Sequence, residues 1–181
     1  MFGLIIFLLF SIILIWLCRY QLLNPHCHGF YRFFAFEGIV WNLIYAIPLW
    51  QQDPFSLQQI VSFILMMLSL VLLIASLRQL KAAGRQAHAE IRENFVFENT
   101  ASLSTSGIYR YIRHPMYASL LLFSWGILFK RPFVEPLVIT LIVTVAIWLA
   151  ARVEEGENRA FFGQEYDAYC KRSKMILPFI F

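Results

Sequence analysis

Apolar residues fall along this chain in five runs with short polar breaks between them, and that pattern predicts an all-α bundle of about five transmembrane helices. The runs are Phe2–Leu17, 33–50, 60–77, 116–129 and 133–151. The first has no basic residue before it and no small-residue cleavage motif after it, so it is expected as a retained helix and not a signal peptide. The second carries Glu37 and Asn42, which are costly against lipid and are expected to turn towards a cavity or a neighbouring helix. Lys130, Arg131 and Pro132 are all that separates the fourth run from the fifth, a connection short enough to predict antiparallel neighbours.

The breaks differ in charge. Of the fifteen Lys and Arg residues, two lie between the first and second runs, none between the second and third, six between the third and fourth, two between the fourth and fifth, and five after the last. With the amino terminus outside, thirteen of them fall inside, the asymmetry expected of a multi-pass protein whose polar clusters face the cytoplasm. From Arg78 to Ala89 the pattern predicts a helix continuing into the cytoplasm, and the following 95–107 a folded loop of β-branched, aromatic and turn-forming residues. Beyond the fifth run, Phe162, Tyr166 and Tyr169 are spaced i, i+4, i+7 and predict an amphipathic helix lying on the membrane surface.

Composition agrees with a single integral membrane domain over 1–181: the chain is 60% hydrophobic and 14% charged, with a mean hydropathy of +0.64. Its eight glycines form neither a G-x-G-x-x-G nor a P-loop spacing, so no such phosphate cradle is available to a nucleotide. The net charge of +4 does not argue for nucleic acid, because the basic residues sit beside apolar runs where topology accounts for them. Cys18, Cys27 and Cys170 are odd in number and lack C-x-x-C spacing, which predicts inert thiols; His26 and His28, without a carboxylate nearby in sequence, predict no metal site.

Two polar, aromatic clusters bracket the hydrophobic hairpin formed by the last two runs: GIYRYIRHPMY at 107–117 and EEGENRAFFGQEY at 154–166. If the hairpin crosses and returns, both emerge on one side and close over one site. Pro115 suits the first turn of a helix and pushes the residue before it out of the α region. Arg113 and His114 therefore belong at a helix mouth where free N–H groups and the dipole favour an anion. The alternative is a topological charge beside an interfacial histidine. Glu154 and Glu155 follow the fifth run closely, where an ionised carboxylate costs on the order of 3 kcal/mol at the bilayer centre unless partnered. Arg113 or a cationic ligand would serve, as would a solvated pair with Arg159. Tyr109, Tyr111 and Tyr117 offer ring faces to a planar or cationic ligand, or form an anchoring belt.

The run TSGIYRYIRHPMY, a hydrophobic hairpin, EE, FFGQEYDAY and a closing LPFI resemble the carboxy-terminal half of the isoprenylcysteine carboxyl methyltransferase family and its phospholipid-methyltransferase relatives, over 105–180. The resemblance implies an integral membrane enzyme using S-adenosylmethionine, bound in a cytoplasmic pocket between the loop after the third span and the carboxy-terminal helix. Carried over by position, Gly107, Ile108 and Tyr109 approach the cofactor, His114 and Tyr117 contact it, Glu155 and Glu154 close the pocket, and Arg113 orients the substrate carboxylate. Residues 105–181 are then the catalytic half, and the spans of 1–77 shape the tunnel for a lipophilic or lipidated acceptor drawn from the membrane. A prenylcysteine-like or isoprenoid or lipid acid fits best. The competing readings are a phospholipid amine N-methyltransferase, an NADPH-dependent sterol or enone reductase, and a non-catalytic membrane scaffold; the short chain and its acidic EEGEN tail disfavour the reductase.

Overall fold

The computed structural model describes residues 2–50, 52–83 and 103–176. The expected continuation from Gly84 to Ala89, the loop before Leu103 and the closing 177–180 lie outside the described residues. Among the described residues there are seven α-helices: α1 Phe2–Leu17, α2 Arg19–Leu22, α3 His28–Ala46, α4 Leu57–Ala83, α5 Pro115–Lys130, α6 Val134–Phe162 and α7 Gln164–Arg172. Short 3-10 turns cover Ile47–Leu49 and Gly107–Arg110. The only β pairing among the described residues is one isolated parallel bridge, Ile112 to Lys174.

Three helical segments are long and apolar enough to cross a membrane, His28–Leu49, Leu57–Lys81 and Val134–Phe162, and the apolar α1 and α5 are shorter at 16 residues each. The helices alternate in direction. Ser11 Oγ on α1 donates to Glu37 Oε2 on α3 at 2.6 Å. Asn42 Nδ2 on α3 donates to Thr140 Oγ1 on α6 at 3.1 Å, while the His28 end of α3 meets Glu157 at the far end of α6. Ser62 and Ser69 of α4 donate to the carbonyls of Gly126 and Ser119 on α5, both at 2.7 Å. Glu37 and Asn42 thus bond neighbouring helices, which offsets part of the cost of carrying them in a span.

The connection of 131–133 does make α5 and α6 antiparallel neighbours, yet the most extensive packing is α4 on α5 and α3 on α6. The core lies between these pairs: Ala35, Ile39, Ile127, Val143, Ile147 and Ala150 are all buried. Leu8, Phe63, Val71, Ile142 and Val145 are more than half exposed and face outward, as a membrane protein requires.

Helix α3 begins five residues before the apolar run that predicts it. Its start is fixed by Cys27, whose backbone is extended and whose Sγ accepts from Gly29 N at 3.3 Å. Cys27 is therefore a helix cap and not merely an inert thiol. The aromatic stripe is also divided: Phe162 ends α6, Gly163 turns the chain at φ 57° and ψ −130°, and Tyr166 and Tyr169 belong to α7. That conformation is open to glycine and strained for L side chains. The turn separates Phe162 from the two tyrosines, which α7 buries within the protein.

Candidate functional site

At that end of the bundle lies a cavity of about 280 Å³, close to the lower bound of roughly 300 Å³ usual for small-molecule sites. Five of its walls come from distinct elements. Helix α3 supplies Arg32 and Phe36, α4 supplies Leu73 and Leu80, the segment before α5 supplies Tyr109, Arg113 and His114, α5 itself supplies Tyr117 and Leu120, and α6 supplies Glu154, Asn158 and Phe162. Tyr166 and Tyr169 close the top.

The segment 111–114 is held against 173–176 by backbone bonds: Arg113 N donates to Lys174 O at 2.7 Å, His114 N to Met175 O at 3.0 Å, and Lys174 N to Tyr111 O at 2.9 Å. Tyr169 Oη adds a bond to the Tyr109 carbonyl at 2.6 Å. These satisfy backbone groups that burial would otherwise leave unpaired. His114 is the N-cap residue of α5, with φ −121° and ψ 62° outside the α region, and Pro115 occupies the first turn.

Arg113 is anchored on several sides. Its Nε and Nη2 reach Glu155 Oε1 at 2.7 and 2.6 Å, and its Nη1 donates to the carbonyls of Ser173 at 2.6 Å and Cys170 at 3.3 Å. Glu155 is 3% exposed and does not line the cavity. The next carboxylate along, Glu154, does, and its Oε1 lies 3.6 Å from His114 Nδ1; Glu155 lies 3.8 Å from His114 Nε2. Burial lowers the His114 pKa, but the Glu154 and then the Glu155 carboxylates outweigh it and raise the group above its ordinary value. Tyr117 stacks on the His114 ring at 5.5 Å between centroids. Burial raises the phenols of Tyr166 and Tyr169, which keeps both neutral.

The structure brings Tyr109, Arg113, His114, Tyr117 and Glu154 to one cavity, which Gly107, Ile108 and Glu155 do not line. Gly107 opens the 3-10 turn at φ +58°, where a Cβ would also meet the Gln79 side chain at 2.9 Å. Gln79 bonds Ser106 beside it. Tyr111 is half exposed and does not line the cavity.

Sequence reasoning did not find Arg32, Phe36, Asn158 or Glu157. Asn158 shares the Glu154 face at i+4, and Arg32 follows His28 at the same spacing, so helical periodicity was the available signal. Glu157 had none: it is 129 residues from His28, whose N–H and Nδ1 it binds at 3.0 and 2.5 Å. Cys27, His28 and Glu157 do place three donor atoms within 4.8 Å of one another. The 2.5 Å spacing of two of them is that of a hydrogen bond; ligands about 2.0–2.3 Å from a tetrahedral ion stand well over 3 Å apart.

Residues 57–165, more than half of the chain, match the family described as phospholipid methyltransferase. A probable protein-S-isoprenylcysteine O-methyltransferase of Oryza sativa subsp. japonica is 35% identical over 102 residues, covering 54% of this chain and 51% of that protein. The human protein-S-isoprenylcysteine O-methyltransferase is 37% identical over 94 residues, 48% of this chain and 32% of that one. A methanethiol S-methyltransferase of Crocosphaera subtropica is 33% identical over 76 residues, 42% and 29% of the respective chains. The match thus spans about half the length of the rice relative and less of the others. No solved structure matches. A hydrophobic helical bundle whose RHP segment and Glu154 meet at one cavity, together with a match over 57–165, makes this chain a member of the phospholipid methyltransferase family.

Proposed function

We propose that this protein transfers a methyl group from S-adenosylmethionine to a lipophilic acceptor, with a carboxylate as the receiving group, at the cytoplasmic face of a membrane it crosses five times. The observation that carries this reading is the meeting of 113–117 and 154–158 on one cavity that also has an apolar end. The residues suit such a donor. Glu154 is a carboxylate available to cationic groups, Tyr109 and Tyr117 line the same space, and the His114 Nε2 and Tyr166 Oη atoms are buried there without a hydrogen-bond partner. The donor's sulfonium supplies an activated methyl and a leaving group that needs no protonation.

What remains for the chain is positioning and water exclusion, worth several kcal/mol when reacting atoms are held about 3 Å apart. Arg113 fixes Glu155 and, through it, the α6 turn that presents Glu154. Tyr166 and Tyr169 exclude water from above. A carboxylate acceptor attacks as the anion it already is near neutrality, so no side chain has to remove a proton; an amine acceptor would need one, and His114 beside Glu154 would have to accept it.

Binding of labelled S-adenosylmethionine to the purified full chain in detergent tests the reading, with NADPH in parallel. Glu154→Gln, close in shape, is expected to weaken donor binding about tenfold or more, the loss of one charged contact. Binding of NADPH in preference to the sulfonium donor, or binding of neither, would overturn it.

A further inference from the structure

The two stretches that pair to build the cavity wall are both basic. Residues 111–114 and 173–176 lie side by side through the Ile112 to Lys174 bridge and the backbone bonds around it. Neither 108–114 nor 170–176 contains an acidic residue, while together they hold Arg110, Arg113, Lys171, Arg172 and Lys174. Arg113 is compensated by Glu155. The other four are exposed, and among the described residues none of them forms an ion pair; Arg172 also lies over the Tyr169 ring at 5.9 Å. The dipole of α7 accounts for Lys171 and Arg172 in its last turn, but not for Lys174 beyond it or for Arg110 on the opposite stretch. Topology accounts for cations at this end of the bundle, but not for their gathering on two paired stretches. Like charges held edge to edge repel, so an anion seated over both stretches would favour the pairing that sets Arg113 and His114 in the wall.

The level of this face in the membrane indicates which anion. Aromatic rings beside cations mark a belt at each end of the bundle. At one end Arg131 lies over the Tyr45 and Phe133 rings and Trp41 donates to Glu135; at the other Arg152 lies over Trp148, and Arg19 over Trp16 and Tyr20. Along α6 the belts, at Glu135 and Arg152, are about 25 Å apart at 1.5 Å per residue, near the roughly 30 Å of a hydrocarbon core. Arg113 meets α6 at Glu155, about one turn or 5 Å past Arg152. That is within the headgroup layer, which adds roughly 5–7 Å on each side. Tyr111, half exposed beside Arg110, is an amphipathic ring suited to the same layer.

We infer that Arg110, Lys171, Arg172 and Lys174 form a binding face for anionic phospholipid headgroups, whose phosphates bridge the two stretches and hold the cavity wall together. The inference is independent of the methyltransferase reading, since it is tested with no methyl donor present. The full chain is placed in phosphatidylcholine nanodiscs and offered a fluorescent phosphatidylglycerol or the matching phosphatidylcholine. The wild type is expected to prefer the anionic lipid by about tenfold or more, and Arg110→Gln combined with Lys174→Gln to lose most of that preference. Arg131→Gln, at the opposite end, is expected to keep it. Exchange of the Arg113, His114 and Lys174 amides should slow when phosphatidylglycerol is added, in the wild type and not in the double variant.

Equal affinity for the two lipids overturns the inference. So does an equal loss of preference in Arg131→Gln, which would reflect net charge and not this face. A preference without slower amide exchange overturns the bridging of the two stretches. Binding of soluble poly-glutamate with no preference between the lipids would assign the face to an acidic protein segment and overturn the lipid as its partner.

Discussion

Glu155 is a carboxylate with 3% of its surface exposed, and it stays ionised there because the Arg113 fork meets it at 2.6–2.7 Å. Removing the cation strands the anion: Arg113→Ala is expected to lower unfolding stability by about 3–5 kcal/mol, and the double change Arg113→Met with Glu155→Leu to recover most of it. Thermal unfolding in detergent without donor checks this, and equal losses in the single and double variants would refute it. His114 adds a pH dependence of known sign. Its folded-state pKa is raised, so the stability it contributes is complete below the ordinary value of about 6.5 and is lost as pH climbs through the higher folded value. The melting temperature is expected to fall over that window in the wild type and to be flatter in His114→Gln. Of these partners, Arg113 and Glu155 were legible in sequence, because a hairpin of fixed length brings its two ends together. The pairing of His28 with Glu157 was not, because no local period links residues 129 apart.

Helices are legible in the sequence where an apolar run alone decides them, and less so where a cap or a turn does. The apolar run opens at Phe33, but backbone bonding obeys the Cys27 cap and starts α3 at His28, so that His28 and Arg32 are helical although they interrupt the apolar pattern. The period through Phe162, Tyr166 and Tyr169 was real in sequence and misleading in space, since Gly163 breaks the helix between the first and second of them. Two glycines of this region therefore give opposite results for the same substitution. A Cβ added at either would meet nothing within 4 Å, so contacts cancel from the comparison. Gly156 is in the interior of α6, where Gly156→Ala should stabilise by roughly 0.5–1 kcal/mol. Gly163 has φ +57°, where Gly163→Ala should cost about 1–3 kcal/mol and weaken donor binding by loosening the Tyr166 and Tyr169 lid. Chemical denaturation of the two variants side by side reads the sign, and a stabilised Gly163→Ala would disprove the turn's role.

For the molecule as a whole, hydropathy fixes the number and alternation of the apolar helices, whereas the choice of partners depends on serine, asparagine and small residues whose pairing has no sequence period. The alternation sorts the loops into two ends. Among the described residues one end carries the junction before α3, the end of α4, 103–114 and 153–176; the other carries 47–50, 52–56 and 131–133. The second end has only Lys130 and Arg131, and both are satisfied locally: Lys130 Nζ donates to Gln59 Oε1 at 2.7 Å, and Arg131 meets Glu135 at 3.1 Å. Among the described residues every other Lys and Arg lies at the cavity end, the asymmetry that supports the proposal of a cytoplasmic site. Helices α1 and α5, at 16 residues and 1.5 Å per residue, reach about 24 Å, so they cross only if the bilayer thins or flanking residues snorkel, at a modest cost per ångström of mismatch. Impermeant thiol labelling decides whether they do. In a chain with Cys170→Ser, the exposed positions Gln52→Cys and Glu165→Cys should react from opposite faces of sealed vesicles, Glu165→Cys from the cytoplasmic one. Labelling of both from the same face would mean that one of α4, α5 and α6 turns back within the membrane, and the acceptor would then have to enter the cavity by a route other than its apolar end.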